Sequence, residues 1–213
     1  MKRSAFAAAA ALLLASATLF GCSEKTDGLT PVTLNEVAHS IFYAPQYAAI
    51  ELGYFEEEGI DLTLVNGGGA DKVMTSLISG DADIGFMGSE SSIYVYQQGS
   101  EDYAVNFAQL TQRAGNFLVA RTPDDSFTWD KLKGKTVLGG RAGGMPEMIF
   151  EFILRKNGID PKTDLTIDQS IDFGLTAAAF TGNDADYTVE FEPHATSLEL
   201  EGEGYVVASL GVD

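Results

Sequence analysis

The sequence predicts an α/β protein built of two βαβ lobes with a central cleft. Three observations carry this. Short β-prone runs alternate with helical stretches along the chain, the pattern of parallel βαβ units. Two signatures recur in the same order: Gly59-Ile60-Asp61 returns as Gly158-Ile159-Asp160, and Asp81-Ala82-Asp83 returns as Asp184-Ala185-Asp186. Repetition at a nearly constant offset of about 100 residues implies two similarly built halves. Finally, 213 residues with 45% hydrophobic content suffice for two lobes, at about 100 residues each.

The elements follow in order. Residues 32–38 form a short β run. Residues 43–58 read as one helix, because Ala44, Tyr47, Ala48, Leu52 and Phe55 fall on one face. Gly59 stops it, and residues 60–65 make a strand. After the Gly67-Gly68-Gly69 loop, residues 71–79 form a helix with Val73, Met74, Leu77 and Ile78 facing inward. Residues 84–87 are a strand, 89–98 a helix, and 103–110 and 117–121 strands. The second half repeats the order: strand 136–138, loop 139–144, helix 146–157, strand 165–167, helix 171–180, strand 187–189, helix 194–200 and a final strand 205–210. The expected organisation is lobe 1 over residues 32–115, lobe 2 over 116–208, and a turn back toward lobe 1 over 209–213.

Residues 1–21 read as a lipoprotein signal peptide. Lys2 and Arg3 precede an apolar run over residues 5–15. That run is shorter than the roughly 20 residues of a bilayer span and suits a signal h-region. Leu19-Phe20-Gly21-Cys22 resembles the bacterial lipobox, in which the cysteine is acylated. Cys22 is the chain's one cysteine, and residues 22–31 follow as a polar tether. The expected location is the extracytoplasmic face of the bacterial cell membrane, held by lipid, with a monomeric body.

Charge and composition exclude several classes. Asp and Glu number 31 against 13 Lys and Arg, a formal charge of −18. Removing the leader takes two positive charges and no negative ones, so the mature chain stands at −20. Such a surface suits neither nucleic acid nor a polybasic membrane patch. One cysteine leaves no disulfide framework and no cysteine-ligated zinc or iron–sulfur site. His39 and His194 are too far apart for a metal-binding HExxH helix. Gly134-Lys135-Thr136 fails as a P-loop, because the required earlier glycine is Trp129. No GxSxG elbow and no calcium loop occurs. No catalytic constellation stands out, so a non-enzymatic protein without cofactor or metal is expected.

Several segments together resemble the solute-binding proteins of ABC importers, and within them the nitrate/sulfonate/thiamine-precursor branch, the SsuA/THI5-like (NMT1) family. Ala44-Pro45-Gln46-Tyr47-Ala48-Ala49 with Leu52-Gly53-Tyr54-Phe55-Glu56-Glu57-Glu58-Gly59-Ile60-Asp61 is similar to the family's first helix and its exit. Leu77-Ile78-Ser79-Gly80-Asp81-Ala82-Asp83-Ile84-Gly85, Asp130-Lys131-Leu132-Lys133-Gly134-Lys135-Thr136-Val137 and Glu192-Pro193 are similar to later family segments. The resemblance implies a type II periplasmic-binding-protein fold. It also implies capture of a small organic solute (a sulfonate, nitrate or thiamine-pyrimidine type) for an ABC permease and its ATPase. In the family a C-terminal segment after lobe 2 completes lobe 1; against that pattern the chain reads as C-terminally truncated. A ligand-binding sensor or adaptor lipoprotein, and a THI5-like pyrimidine-synthesis enzyme, are the alternatives.

In an open α/β sheet, ligands bind outside the carboxyl ends of the strands, beside helix N-termini. The candidate ligand-binding residues therefore lie in loops at those ends. His39, Ser40, Phe42 and Tyr43 follow the first strand, where His39 is either a hydrogen-bonding or a structural histidine, and the aromatic pair either stacks on a planar ligand or packs in the core. Gly68 and Gly69 allow close backbone approach. Ser89 and Glu90 open a helix, which Ser89 could simply cap. Arg113 lies near the lobe crossing. Arg141, Gly143 and Met145 lie in or beside a glycine-rich loop, and Glu190 ends a strand. Arg141 suits an anion or else neutralises Glu147 or Glu190. Glu90 and Glu190 suit a cationic or amino-bearing ligand, and the sequence leaves that conflict open.

Overall fold

The computed structural model describes residues 28–172 and 174–213. The expected signal peptide, the Cys22 anchor and most of the tether lie outside the described residues.

Two sheets share one strand order. In the first, β1 (Thr30–Glu36) lies between β2 (Ile60–Asn66) and β3 (Ile84–Phe86), all parallel. In the second, β5 (Thr136–Leu138) lies between β6 (Thr166–Asp168) and β7 (Tyr187–Phe191), again parallel. The repeated Asp-Ala-Asp signature has a physical cause in this arrangement. Asp83 donates its backbone N–H to the carbonyl of Thr33 at 2.9 Å, and its carboxylate accepts the N–H of Thr33 at 2.8 Å. Asp186 repeats this on Thr136, donating to its carbonyl at 2.9 Å and accepting its N–H at 3.0 Å. Each aspartate thus clips the third strand of its half onto the first.

The second sheet continues past β7 into β4 (Asn116–Ala120) and then β8 (Tyr205–Ser209). β4 is antiparallel to both neighbours, a departure from the all-parallel expectation. The chain crosses from the first sheet immediately before Asn116, so β4 starts at the edge where β7 ends; Asn116 pairs with Phe191. The connection from β4 to β5 carries a 3₁₀ turn, Trp129–Leu132.

Strand alternation divides the second core in two. Leu118, Val137 and Val189 pack with Phe150, Ile153 and Leu154 of α5 (Met145–Lys156). Val119 and Leu138 pack on the opposite face with Phe180 of α6 (Thr176–Gly182) and Ala195 and Leu198 of α7 (His194–Glu201). The first lobe has a smaller buried cluster around Val37, Tyr43, Ala70 and Val73.

Three expected elements differ. The helix expected over residues 43–58 is a 3₁₀ turn (Ile41–Tyr43), then α1 (Ala44–Glu51) and α2 (Tyr54–Glu57). The break falls at Gly53, whose φ of 76° is open to glycine but costly for other residues. Residues 103–110 are not a strand. Their apolar alternation is real, but Tyr103, Val105 and Phe107 remain exposed along a groove, and no strand among the described residues pairs with them. The helix expected from residue 171 begins only at Thr176, because Asp168 ties the backbone N–H and hydroxyl of Ser170 into a turn. The remaining helices, α3 (Ala70–Ser79) and α4 (Glu90–Gln97), lie close to expectation.

The clips predict matched effects in the two halves. Asp83→Ala and Asp186→Ala each leave a strand N–H without its carboxylate and should cost about 1–3 kcal/mol in urea unfolding. Hydrogen bonds from Thr136 and Lys135 outweigh burial and hold the Asp186 carboxyl below its ordinary range. Its stabilisation is therefore present at neutral pH and lost as pH falls through that depressed value. The gap between wild type and Asp186→Ala should close below about pH 4.

Candidate functional site

The loops at the carboxyl ends of the parallel strands face one another across a cleft. Ser40, at the N-terminus of the 3₁₀ turn, donates its hydroxyl to the Glu192 carbonyl at 2.7 Å. The rings of Phe42 and Phe191 lie 5.9 Å apart, and Tyr94 of α4 donates its hydroxyl to the Met148 sulfur of α5 at 2.9 Å. Between these contacts opens a cavity of about 740 Å³. Phe42, Tyr43, Glu90, Asn116, Met145 and Phe191 are among the residues that wall it. The cavity continues as a groove along β3, bounded on its far side by the unpaired segment 102–112.

Of the expected ligand residues, Phe42, Tyr43, Ser89, Glu90, Arg113 and Met145 line this cavity. Tyr43 is also core, buried against Phe86 with ring centres 4.4 Å apart. Ser89 lines the wall but makes no side-chain cap to α4, so its expected capping role is not seen. His39 stands outside the cavity. Its ring stacks on Tyr47 at 4.4 Å and its Nδ1 lies 3.0 Å from the buried Glu36 carboxylate, which also accepts from Gln46 and Tyr47. That network fixes the end of β1 and shows the structural side of the two expectations for His39.

Arg141 does not pair with Glu147 or Glu190. Its fork grips Asp71 at the start of α3, with Nε–Oδ1 at 2.8 Å and Nη2–Oδ2 at 2.7 Å, and a further nitrogen pairs with Asp172. Lys72 reaches the same Asp172 at 3.0 Å. These contacts tie the two halves together beside the cleft. Pairing with Asp71 pushes the Arg141 pKa up, and Arg141 in turn lowers that of Asp71. Gly69 lies against the Arg141 side chain. Gly68 lines neither the main cavity nor a second one of about 550 Å³, which Arg141 and Gly143 border. The signal for Asp71 was its place in a helical first turn; nothing in the sequence pointed to Asp172.

Two glutamates that looked alike in sequence differ sharply. Glu190 is fully buried inside the second lobe, accepting the hydroxyl of Thr188 at 2.6 Å and of Thr176 at 2.9 Å. Burial raises its pKa to about 7 against those bonds. Glu90 is 3% exposed and faces the cavity, yet neither carboxylate oxygen has a hydrogen-bond partner among the described residues. Burial raises its pKa as well; its own N–H and that of Met145 lie near enough to favour the charge without forming bonds of ordinary geometry. Asn116 Nδ2, on the same cavity wall, is also buried and unpartnered. Sequence reasoning missed Asn116, which looked like a strand edge.

Residues 41–210 match the family model described as NMT1/THI5 like. The chain belongs to the NMT1/THI5-like family. The Bacillus subtilis (strain 168) binding protein YtlA is 50% identical over 193 residues, 91% of this chain. The alkanesulfonate-binding protein SsuA from Xanthomonas axonopodis pv. citri, bound to MOPS, superposes with a TM-score of 0.68 at 18% identity over 84% of this chain and 60% of its own. The periplasmic nitrate-binding protein NrtA from Synechocystis PCC 6803 gives 0.62 at 16% identity, over 84% of this chain and 51% of its own. The chain spans 58% of the length of YtlA.

The fold is thus the mixed α/β fold of periplasmic binding proteins, and the cleft of this NMT1/THI5-like chain lies between its two half-repeats. Among the described residues no group of three or more His, Cys, Asp or Glu could hold a metal ion, and no helix is long and apolar enough to cross a membrane. Glu190 predicts a pH effect. Its raised pKa means that its stabilising contribution is full below the unfolded-state value near 4.5 and lost as pH rises through about 7. Glu190→Gln should therefore resist urea better than wild type at pH 8, by up to about 3 kcal/mol, with the advantage vanishing near pH 5.

Proposed function

We propose that this chain captures a small organic solute between its two halves and delivers it to an ABC permease and its ATPase. The observation that carries this reading is the cavity of about 740 Å³. It sits where two parallel strand sets present their carboxyl ends to each other, the usual place for a ligand in open α/β sheets. Relatives named for binding alkanesulfonate and nitrate support the class of role. Lobe motion would pivot on the crossing before Asn116, a hinge-type closure. The leader and Cys22 support a body held by lipid at the extracytoplasmic face of the membrane.

The purified mature chain, incubated with a small-metabolite extract and washed by ultrafiltration, should retain one solute at 1:1 stoichiometry by mass spectrometry. The retained solute should raise the melting temperature by mass action, corresponding to about 2.7 kcal/mol at a hundredfold excess over Kd. Retention of no small molecule would contradict solute capture. In cells, a palmitate analogue should label the chain and fail to label Cys22→Ala; an unlabelled wild type would contradict the anchor.

A further inference from the structure

The cavity is unevenly supplied with charge. Its charged lining residues are Asp83, Glu90, Asp102 and Arg113. Asp83 is committed to Thr33, and Arg113 is exposed. Glu90 alone is both buried and charged, and its two oxygens are unpartnered. A buried carboxylate without hydrogen bonds is costly, and a partner arriving with the ligand relieves that cost. The glycine at Gly88 makes the placement possible: a Cβ there would lie 2.0 Å from Glu90 Oε2, so the carboxylate folds directly over that α-carbon.

Of the two arginines that could serve an anion, Arg113 lines the cavity only from its exposed rim, and the other is engaged elsewhere. The Arg141 fork is taken by Asp71 and Asp172, and Arg141 does not line this cavity. Phe42, Tyr43 and Phe191 supply aromatic walls, which suit a flat cation. Asn116 Nδ2 offers one buried donor for an acceptor elsewhere on the ligand.

Building on the solute-capture reading, we propose that the solute carries a protonated nitrogen group, of the amidinium, guanidinium or ammonium class, which pairs with the Glu90 carboxylate. Glu90 is then the specificity-determining residue, and it selects against sulfonate, nitrate and phosphonate ligands.

The mature chain is titrated calorimetrically with benzamidine, agmatine and spermidine, and separately with methanesulfonate, nitrate and methylphosphonate. At least one of the three cations should bind and the anions should not. Glu90→Gln should weaken that cation at least 10-fold while circular dichroism shows a folded protein. If Glu90→Gln does not fold, Glu90→Asp replaces it: charge is kept, so cation preference should persist at reduced affinity. A Glu90 that serves only as a structural neighbour of the α5 N-terminus would change melting temperature and leave cation affinity unchanged in either variant, overturning the proposal. Binding of anions but not cations would overturn it too, while leaving solute capture standing. Silence from all six probes overturns the proposal, while solute capture is decided separately by the retention measurement.

Discussion

Each half of this molecule hangs on one two-point contact between an aspartate and a threonine of the central strand, Thr33 within β1 and Thr136 at the start of β5. Asp83 on Thr33 and Asp186 on Thr136 each bond through side chain and main chain to the N–H and C=O of the same residue. The contact sets where the third strand begins relative to the first, and so where it ends. Because the strands are parallel, their carboxyl ends then fall along one edge in each half. The two edges meet, and the cleft is the consequence. The cavity thus depends on hydrogen bonds made just before the third strand of each half, and in the first half Asp83 itself borders the groove that continues from it.

Much of this was legible because it is local or repeated. The Asp-Ala-Asp signature predicted two halves, and the shared strand order β2-β1-β3 and β6-β5-β7 bears that out. Helix α5 was readable from Pro146 near its first turn, and Phe150, Ile153 and Leu154 on it are buried. The misreadings have physical causes. Residues 103–110 carry strand-like alternation, but a strand exists only when a neighbour accepts its backbone bonds, and none of the described segments does. Gly53 looked like a tolerable helical residue, yet it takes the left-handed conformation that ends α1.

The site was legible as a set of loops and illegible as chemistry. Sequence alone brought Arg113, Arg141, Glu90 and Glu190 forward as charged candidates, and Arg113 stands exposed at the cavity rim. Only packing separates them. Arg141 is saturated by Asp71 and Asp172, which reach it through contacts between the halves that no local pattern encodes. Glu190 is saturated by two threonines within its own lobe. Glu90 is left with buried, unpaired oxygens on the cavity wall. What each group already holds is the basis for proposing a cationic rather than an anionic solute.

The most direct test is a crystal structure of the mature chain with its retained solute. The account predicts that the solute occupies the cavity between Phe42, Asn116 and Met145, with a solute nitrogen at hydrogen-bonding distance, about 2.7–3.2 Å, from a Glu90 oxygen. A solute seated in the second cavity beside Arg141, or one whose acidic group has displaced Asp71 from the Arg141 fork, would contradict it.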